Sequence, residues 1–212
     1  GRNMTKIWIH GSGHTSSSWN EVVENMRASE DIVCPELSAL LDGEAASYPH
    51  LYSSFVRYCD VMEGKVDLCG LSLGGILALN YAIDHPDRVR SLVLIGTPHK
   101  VPKLLFSIQT VLFRLLPGSA FEGMAFHKRD TFILGSTMKQ LDFRNELHMV
   151  RCPTLIICGE KDHANRRAAH VLSKHIQGAT LRIIPQTGHV INEENPKELA
   201  RILDAYYAVN NG

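Results

Sequence analysis

The strongest constraint on this chain is the regular alternation of short apolar runs with helix-period segments, which continues nearly from end to end. Six runs read as strands: Lys6–His10, Asp31–Pro35, Val66–Gly70, Ser91–Ile95, Pro153–Cys158 and Thr180–Pro185. Several are continuous Val/Ile/Leu/Cys stretches, as a strand covered on both faces requires. Helix patterns fall between them at Ser18–Ala28, Tyr48–Met62, Leu73–His85, Ala164–Ile176 and Pro196–Val209. Ser18 suits a helix cap, and Pro196 suits a first helical turn because its missing N–H costs nothing there. Strands that alternate with helices in this way build a mainly parallel sheet of about six strands with helices on both faces.

A 212-residue chain holds one sizeable core. The expected division is a single core, 4–97 with 151–209, interrupted by a helical insertion at 98–150 that sits where a lid over an active site would emerge. Gly1-Arg2-Asn3, ahead of Met4, reads as a cloning remnant and is set aside. The 22 basic and 22 acidic residues cancel, which argues against nucleic acid as a partner, since a binder needs a basic face to displace counterions from phosphates. The most apolar stretch, Leu104–Leu116, is interrupted by Ser107, Gln109, Thr110 and Arg114. It falls short of the roughly 20 apolar residues that cross a bilayer. The five cysteines form no C-x-x-C pair. With no signal-peptide pattern in the chain, they point to free thiols in a reducing, cytoplasmic setting.

Gly70-Leu71-Ser72-Leu73-Gly74 forms a G-x-S-x-G motif between a strand-like run and a helix-like run. A strand-to-helix turn this sharp strains the serine backbone, tolerates only small flanking residues, and projects the hydroxyl above the sheet at a helix N-terminus. Ser72 is therefore the candidate nucleophile. A hydroxyl needs a neighbouring base to take its proton. Of eleven histidines, His189 follows Gly188 just after the last strand candidate. His10, at the end of the first strand, is its strongest rival. His85 suits a helix C-terminal cap, and His14, His99, His127, His148 and His163 read as surface or insertion residues.

With these pieces on the page, the chain resembles the α/β-hydrolase fold family from Ile7 to Tyr207. The resemblance is carried by Ile7-Trp8-Ile9-His10-Gly11-Ser12-Gly13, the Ser72 elbow, and His85-Pro86-Asp87-Arg88-Val89 leading into Leu92–Gly96. Pro153 through Asp162 and Gly188-His189 through Pro196 complete it. It implies a triad in the chain order Ser72, Asp162, His189, in which Asp162 holds the imidazole tautomer without taking the proton. Glu160 is the nearest alternative acid, and Asp67 reads as structural. The resemblance also implies that the backbone N–H groups of Ser12 and Leu73 stabilise an oxyanion. By the same comparison His10 shapes the oxyanion loop. Two departures stand out. The chain enters directly at the strand before that loop, without an antiparallel N-terminal hairpin. After Pro35 it reads Glu36-Leu37-Ser38-Ala39-Leu40-Leu41-Asp42-Gly43, where relatives carry D-x-x-G-x-G-x-S.

The implied activity is that of a serine hydrolase, a carboxylic-ester hydrolase for a small or medium ester. Thioesterase, C–C hydrolase or lyase chemistry would use the same triad, and a slow-turnover ligand receptor of the same fold is the alternative from another class. Seven basic residues in 98–150 against four acidic ones suit either a carboxylated substrate or plain surface charge. Neither metal nor other cofactor is implied: H-E-x-x-H is absent, His170 and His175 lack the i, i+4 spacing, and the third glycine of G-x-G-x-x-G is missing after Gly13.

Overall fold

The computed structural model describes residues 4–101, 117–122 and 126–210; the apolar stretch Leu104–Leu116 lies outside them. Its frame is a six-stranded, all-parallel sheet in the order β2-β1-β3-β4-β5-β6. The strands are β1 (Lys6–Ile9), β2 (Ile32–Val33), β3 (Val66–Leu71), β4 (Val89–Ile95), β5 (Thr154–Gly159) and β6 (Thr180–Ile184). β1, β3 and β5 are buried at every position, which is why their sequences are apolar without alternation. β6, at one edge, alternates exposed and half-buried positions and buries only Ile184 at its end.

Successive side chains of each strand point to opposite faces, and two cores result. Ile7, Ile9, Leu68, Leu92, Leu94 and Ile156 pack with α3 (Tyr48–Asp60), α4 (Leu73–Asp84) and α6 (His163–His175) on one side. Trp8, Cys69, Val93, Ile95, Leu155 and Ile157 pack on the other with α1 (Asn20–Glu24), α7 (Ile191–Glu194) and α8 (Pro196–Asn210). Two further helices are α2 (Leu37–Leu40) and α5 (Lys128–Met138), the latter between β4 and β5. The buried Asp67 carboxylate is bonded by Nε and Nη2 of the Arg90 guanidinium and by the Ser91 hydroxyl, tying β3 to β4 below the elbow.

Three local expectations change. β2 is two residues long, not five: it pairs only with β1, and Pro35, which has no N–H to give a ladder, sends the chain into α2. The first helix is split, with a 3₁₀ turn at Ser16–Trp19 ahead of α1. Ser18 consequently lies inside that turn, where its buried hydroxyl has no partner among the described residues, and it does not cap α1. All five cysteines are free. Among the described residues, no helix is long and apolar enough to cross a membrane.

Candidate active site

β3 delivers Ser72 and α4 starts one residue later. The turn leaves Ser72 at φ 55°, ψ −112°, a backbone region that costs a non-glycine residue about 1–3 kcal/mol. Neighbouring contacts hold it there. The Ser72 N–H donates to the Ile95 carbonyl at 2.9 Å, and the Ile76 N–H closes the first helical turn on the Ser72 carbonyl at 3.0 Å. A Cβ at position 70 would strike the Gly74 carbonyl, and one at position 74 would strike the Ile9 backbone. The G-x-S-x-G glycines are thus required by close backbone approach.

The ends of β5 and β6 supply the second group. His189 Nδ1 lies 2.6 Å from Asp162 Oδ2, so the imidazole donates from Nδ1 and keeps Nε2 free to accept. Asn165, in the first turn of α6, donates its side-chain amide to both carboxylate oxygens at 3.1 and 3.0 Å. Burial pushes the Asp162 carboxyl up, but the hydrogen bonds and charge of His189, with the Asn165 amide, outweigh it and hold the group below its ordinary value. Gly96 links this pair to the elbow. It follows Ile95, which holds the Ser72 amide, and a Cβ on it would come within 2.9 Å of the His189 ring. Serine and imidazole therefore flank the same end of β4. Among the described residues the Ser72 hydroxyl forms no hydrogen bond to His189, whose Nδ1 is taken up by Asp162. Relays of this kind often close only with substrate present.

The turn after β1 borders the elbow from the other side, with the His14 N–H donating to the Gly11 carbonyl at 3.2 Å. Ser12 sits in this turn, and Leu73 opens α4, where a helix leaves its first N–H groups without internal partners. His10 is fully buried beneath the turn: Nδ1 donates to the Gly11 carbonyl at 2.7 Å and Nε2 accepts from the Leu37 N–H at 3.1 Å. Glu36 Oε2 also stands 3.0 Å from Nε2. One nitrogen cannot serve both the amide and the carboxylate, and burial, which lowers the His10 pKa, favours the neutral ring bonded to Leu37. Glu36 Oε1 takes the Ser16 N–H and hydroxyl. His10 is thereby occupied with the backbone of its own loop.

A cavity of about 630 Å³ opens over the elbow. Ser12, Ser72 and Leu73 form its floor, Ile76, Leu134 and Met138 contribute apolar wall, and Asn165 closes one side. Glu160, weighed as an alternative acid, instead accepts the Gln186 N–H at 3.0 Å.

The profile of the alpha/beta hydrolase family matches residues 7–202 of the sequence. The chain belongs to the alpha/beta hydrolase family. A Bacillus subtilis (strain 168) protein assigned as a 2-succinyl-6-hydroxy-2,4-cyclohexadiene-1-carboxylate synthase is 23% identical, over 94% of this chain and 89% of that protein. The pimeloyl-[acyl-carrier protein] methyl ester esterase of Nitrosomonas europaea is 26% identical, over 97% and 96%. The solved structure of MenH from S. aureus superposes with a TM-score of 0.84 at 17% identity, covering 99% of this chain and 95% of that one, a likeness of fold.

Within the hydrolase frame, two site residues were not legible beforehand. Asn165 bonds Asp162 only because the chain turns into α6 immediately after it, and Glu36 reaches Ser16 and His10 across a loop. His99, read as a surface or insertion residue near the mouth, does line the cavity, but it is 7% exposed and not a surface group. The strand β4 ends four residues before it, and the Phe143 N–H bonds its carbonyl at 2.8 Å, which holds it inward.

Proposed function

We propose that this hydrolase-family chain is a carboxylic-ester hydrolase for a small or medium ester, with Ser72 as nucleophile, His189 as base and Asp162 as orienting acid. The observation that carries this reading is the 2.6 Å Asp162–His189 bond, packed on Gly96 beside the strained elbow. Ser72 Oγ attacks the ester carbonyl carbon while His189 Nε2 takes its proton. The oxyanion is met by the N–H groups of Ser12 and Leu73, each such donor worth about 10²–10³ in rate. The intermediate collapses, the carbon–alkoxy bond breaks, and the imidazolium gives its proton to the leaving alcohol. Water then adds to the acyl-enzyme with His189 again as base, and the acid leaves as Ser72 recovers its proton. Residues 98–150, with α5 over the cavity, serve in this reading as the lid.

The match to the synthase-assigned Bacillus subtilis protein favours a second reading, a lyase that uses the same groups on a carbon acid. A panel of chromogenic esters of increasing acyl length, run on wild type and Ser72→Ala, tests both. Ester hydrolysis that falls on the order of 10⁴-fold or more in the folded variant supports the hydrolase. Equal turnover by both proteins refutes it. Fluorophosphonate labelling of Ser72 without ester turnover leaves the lyase, or a ligand receptor of this fold, in its place.

A further inference from the structure

The cavity beside Ser72 is polarised in a way that ester hydrolysis alone does not require. Three cations border it from three separate elements: Lys100 from the segment after β4, Arg144 from the start of the 3₁₀ turn Arg144–Met149, and Arg167 from α6. No carboxylate is among the described residues that line it. None of the three is engaged in an ion pair among the described residues. Asp142 and Glu146, each two residues from Arg144, lie outside the lining; Asp142 uses its carboxylate on the Arg144 N–H at 3.0 Å, and its charge reaches His99 but is outweighed there by burial. The undescribed stretches 102–116 and 123–125 contain Lys103 and Arg114 but no Asp or Glu, so they bring no negative charge to offset the three.

A second observation points the same way. His99 lines the cavity, is 7% exposed, and leaves Nδ1 buried without a hydrogen-bond partner among the described residues. A buried polar atom without a partner costs about 1–3 kcal/mol, a cost that a bound polar group removes. Burial also lowers the pKa of this imidazole, so the ring is neutral and able to donate from one nitrogen. Ile76, Leu134 and Met138 add apolar surface to the same cavity. A lining that joins Ser72, apolar side chains and three cations suits a substrate that pairs a reacting carbonyl with an apolar chain and a negative group.

We propose that the preferred substrate carries a carboxylate on its acyl part, as in the monoester of a dicarboxylic acid, and that Lys100, Arg144, Arg167 and His99 receive that carboxylate while the ester carbonyl lies at Ser72. This deepens the ester-hydrolase reading and rests on it for the identity of the reacting bond. The charge claim concerns binding and stands or falls separately.

The test compares mono-4-nitrophenyl suberate, which has a free carboxylate, with 4-nitrophenyl methyl suberate, which is its neutral counterpart. The expected kcat/KM ratio at low salt is about tenfold or more in favour of the anion, expressed mainly in KM. It narrows in 1 M NaCl, where the screening length falls to about 3 Å. Arg144→Gln and Arg167→Gln each lower the ratio about three- to tenfold, whereas Arg201→Gln, on α8 across the sheet, leaves it unaltered. A ratio near one, or a preference that neither cavity variant reduces, overturns the proposal. Neutral-ester turnover that depends on Ser72 but shows no charge preference sinks only this inference and leaves the hydrolase standing. Should neither ester turn over, calorimetric titration of Ser72→Ala with monomethyl and dimethyl suberate decides it. Binding of the monoanion at least about tenfold tighter supports the carboxylate site, and equal or absent binding refutes it.

Discussion

Replacing Gly96 by alanine tests whether the end of β4 sets the position of the imidazole. Gly96 has φ +52°, so alanine pays for the left-handed backbone, about 1–2 kcal/mol. The added methyl would also stand 2.9 Å from His189 Cε1 and Nδ1 and 3.3 Å from Asp162 Oδ2. Relief requires the ring to retreat by about 0.5 Å to reach ordinary contact distance. A misplacement of about 1 Å at a reacting group costs on the order of 10²-fold, so half of it on a logarithmic scale predicts a loss of about tenfold in kcat. Gly178 provides the control: its φ is +74°, and a Cβ there meets nothing within 4 Å. Gly178→Ala therefore reports backbone strain alone. Both variants are expected to melt lower by about 2–8 °C, but only Gly96→Ala loses activity. Steady-state kinetics on a chromogenic ester, with melting followed by circular dichroism, reads both quantities. If folded Gly96→Ala keeps kcat within twofold of wild type, or Gly178→Ala loses as much, the end of β4 does not set the position of the His189 imidazole.

Other outcomes follow from the same contacts. Asn165→Ala leaves the Asp162 carboxylate without its second donor and is expected to reduce kcat about three- to tenfold; an unchanged kcat would show that His189 alone orders the acid. Arg90→Ala strands the fully buried Asp67 carboxylate and should destabilise the fold by about 3–5 kcal/mol in denaturant titration; a loss under 1 kcal/mol would contradict it. Burial lowers the pKa values of His10 and His99, so the unfolded chain binds more protons between those lowered values and the ordinary 6.5. Stability contributed by the neutral rings is full above 6.5 and lost as the pH falls below it. The denaturation midpoint should drop between pH 7.5 and 5.5, and drop less in His10→Asn; parallel curves for the two proteins would rule out His10 as a source.

How much was legible in the chain differs from element to element. The buried strands β1, β3, β4 and β5 announce themselves because both faces are covered and most positions are apolar without alternation. The edge strand β2 is also legible, but its length is not, because that depends on how far β1 offers partners and on Pro35 ending the ladder. The Ser72 elbow is a local device whose geometry follows from glycines within two residues of the serine, and chain order was enough to select Asp162 and His189 as candidates.

Sequence by itself determined the parallel sheet, the family and the three groups nominated for chemistry, because each is written in short-range pattern: apolar runs, a five-residue turn, and the order of loops after successive strands. Tertiary structure alone decided that Gly96 would carry the imidazole, that Asn165 would hold the acid, and that His99 with three cations would face one cavity. The Gly96 contact and the cavity join segments tens of residues apart, set by strand order and by which side of the sheet each helix covers, and even the three-residue step from Asp162 to Asn165 depends on where β5 hands over to α6. No local pattern encodes a distance of that kind; it exists only once the strand ends stand side by side.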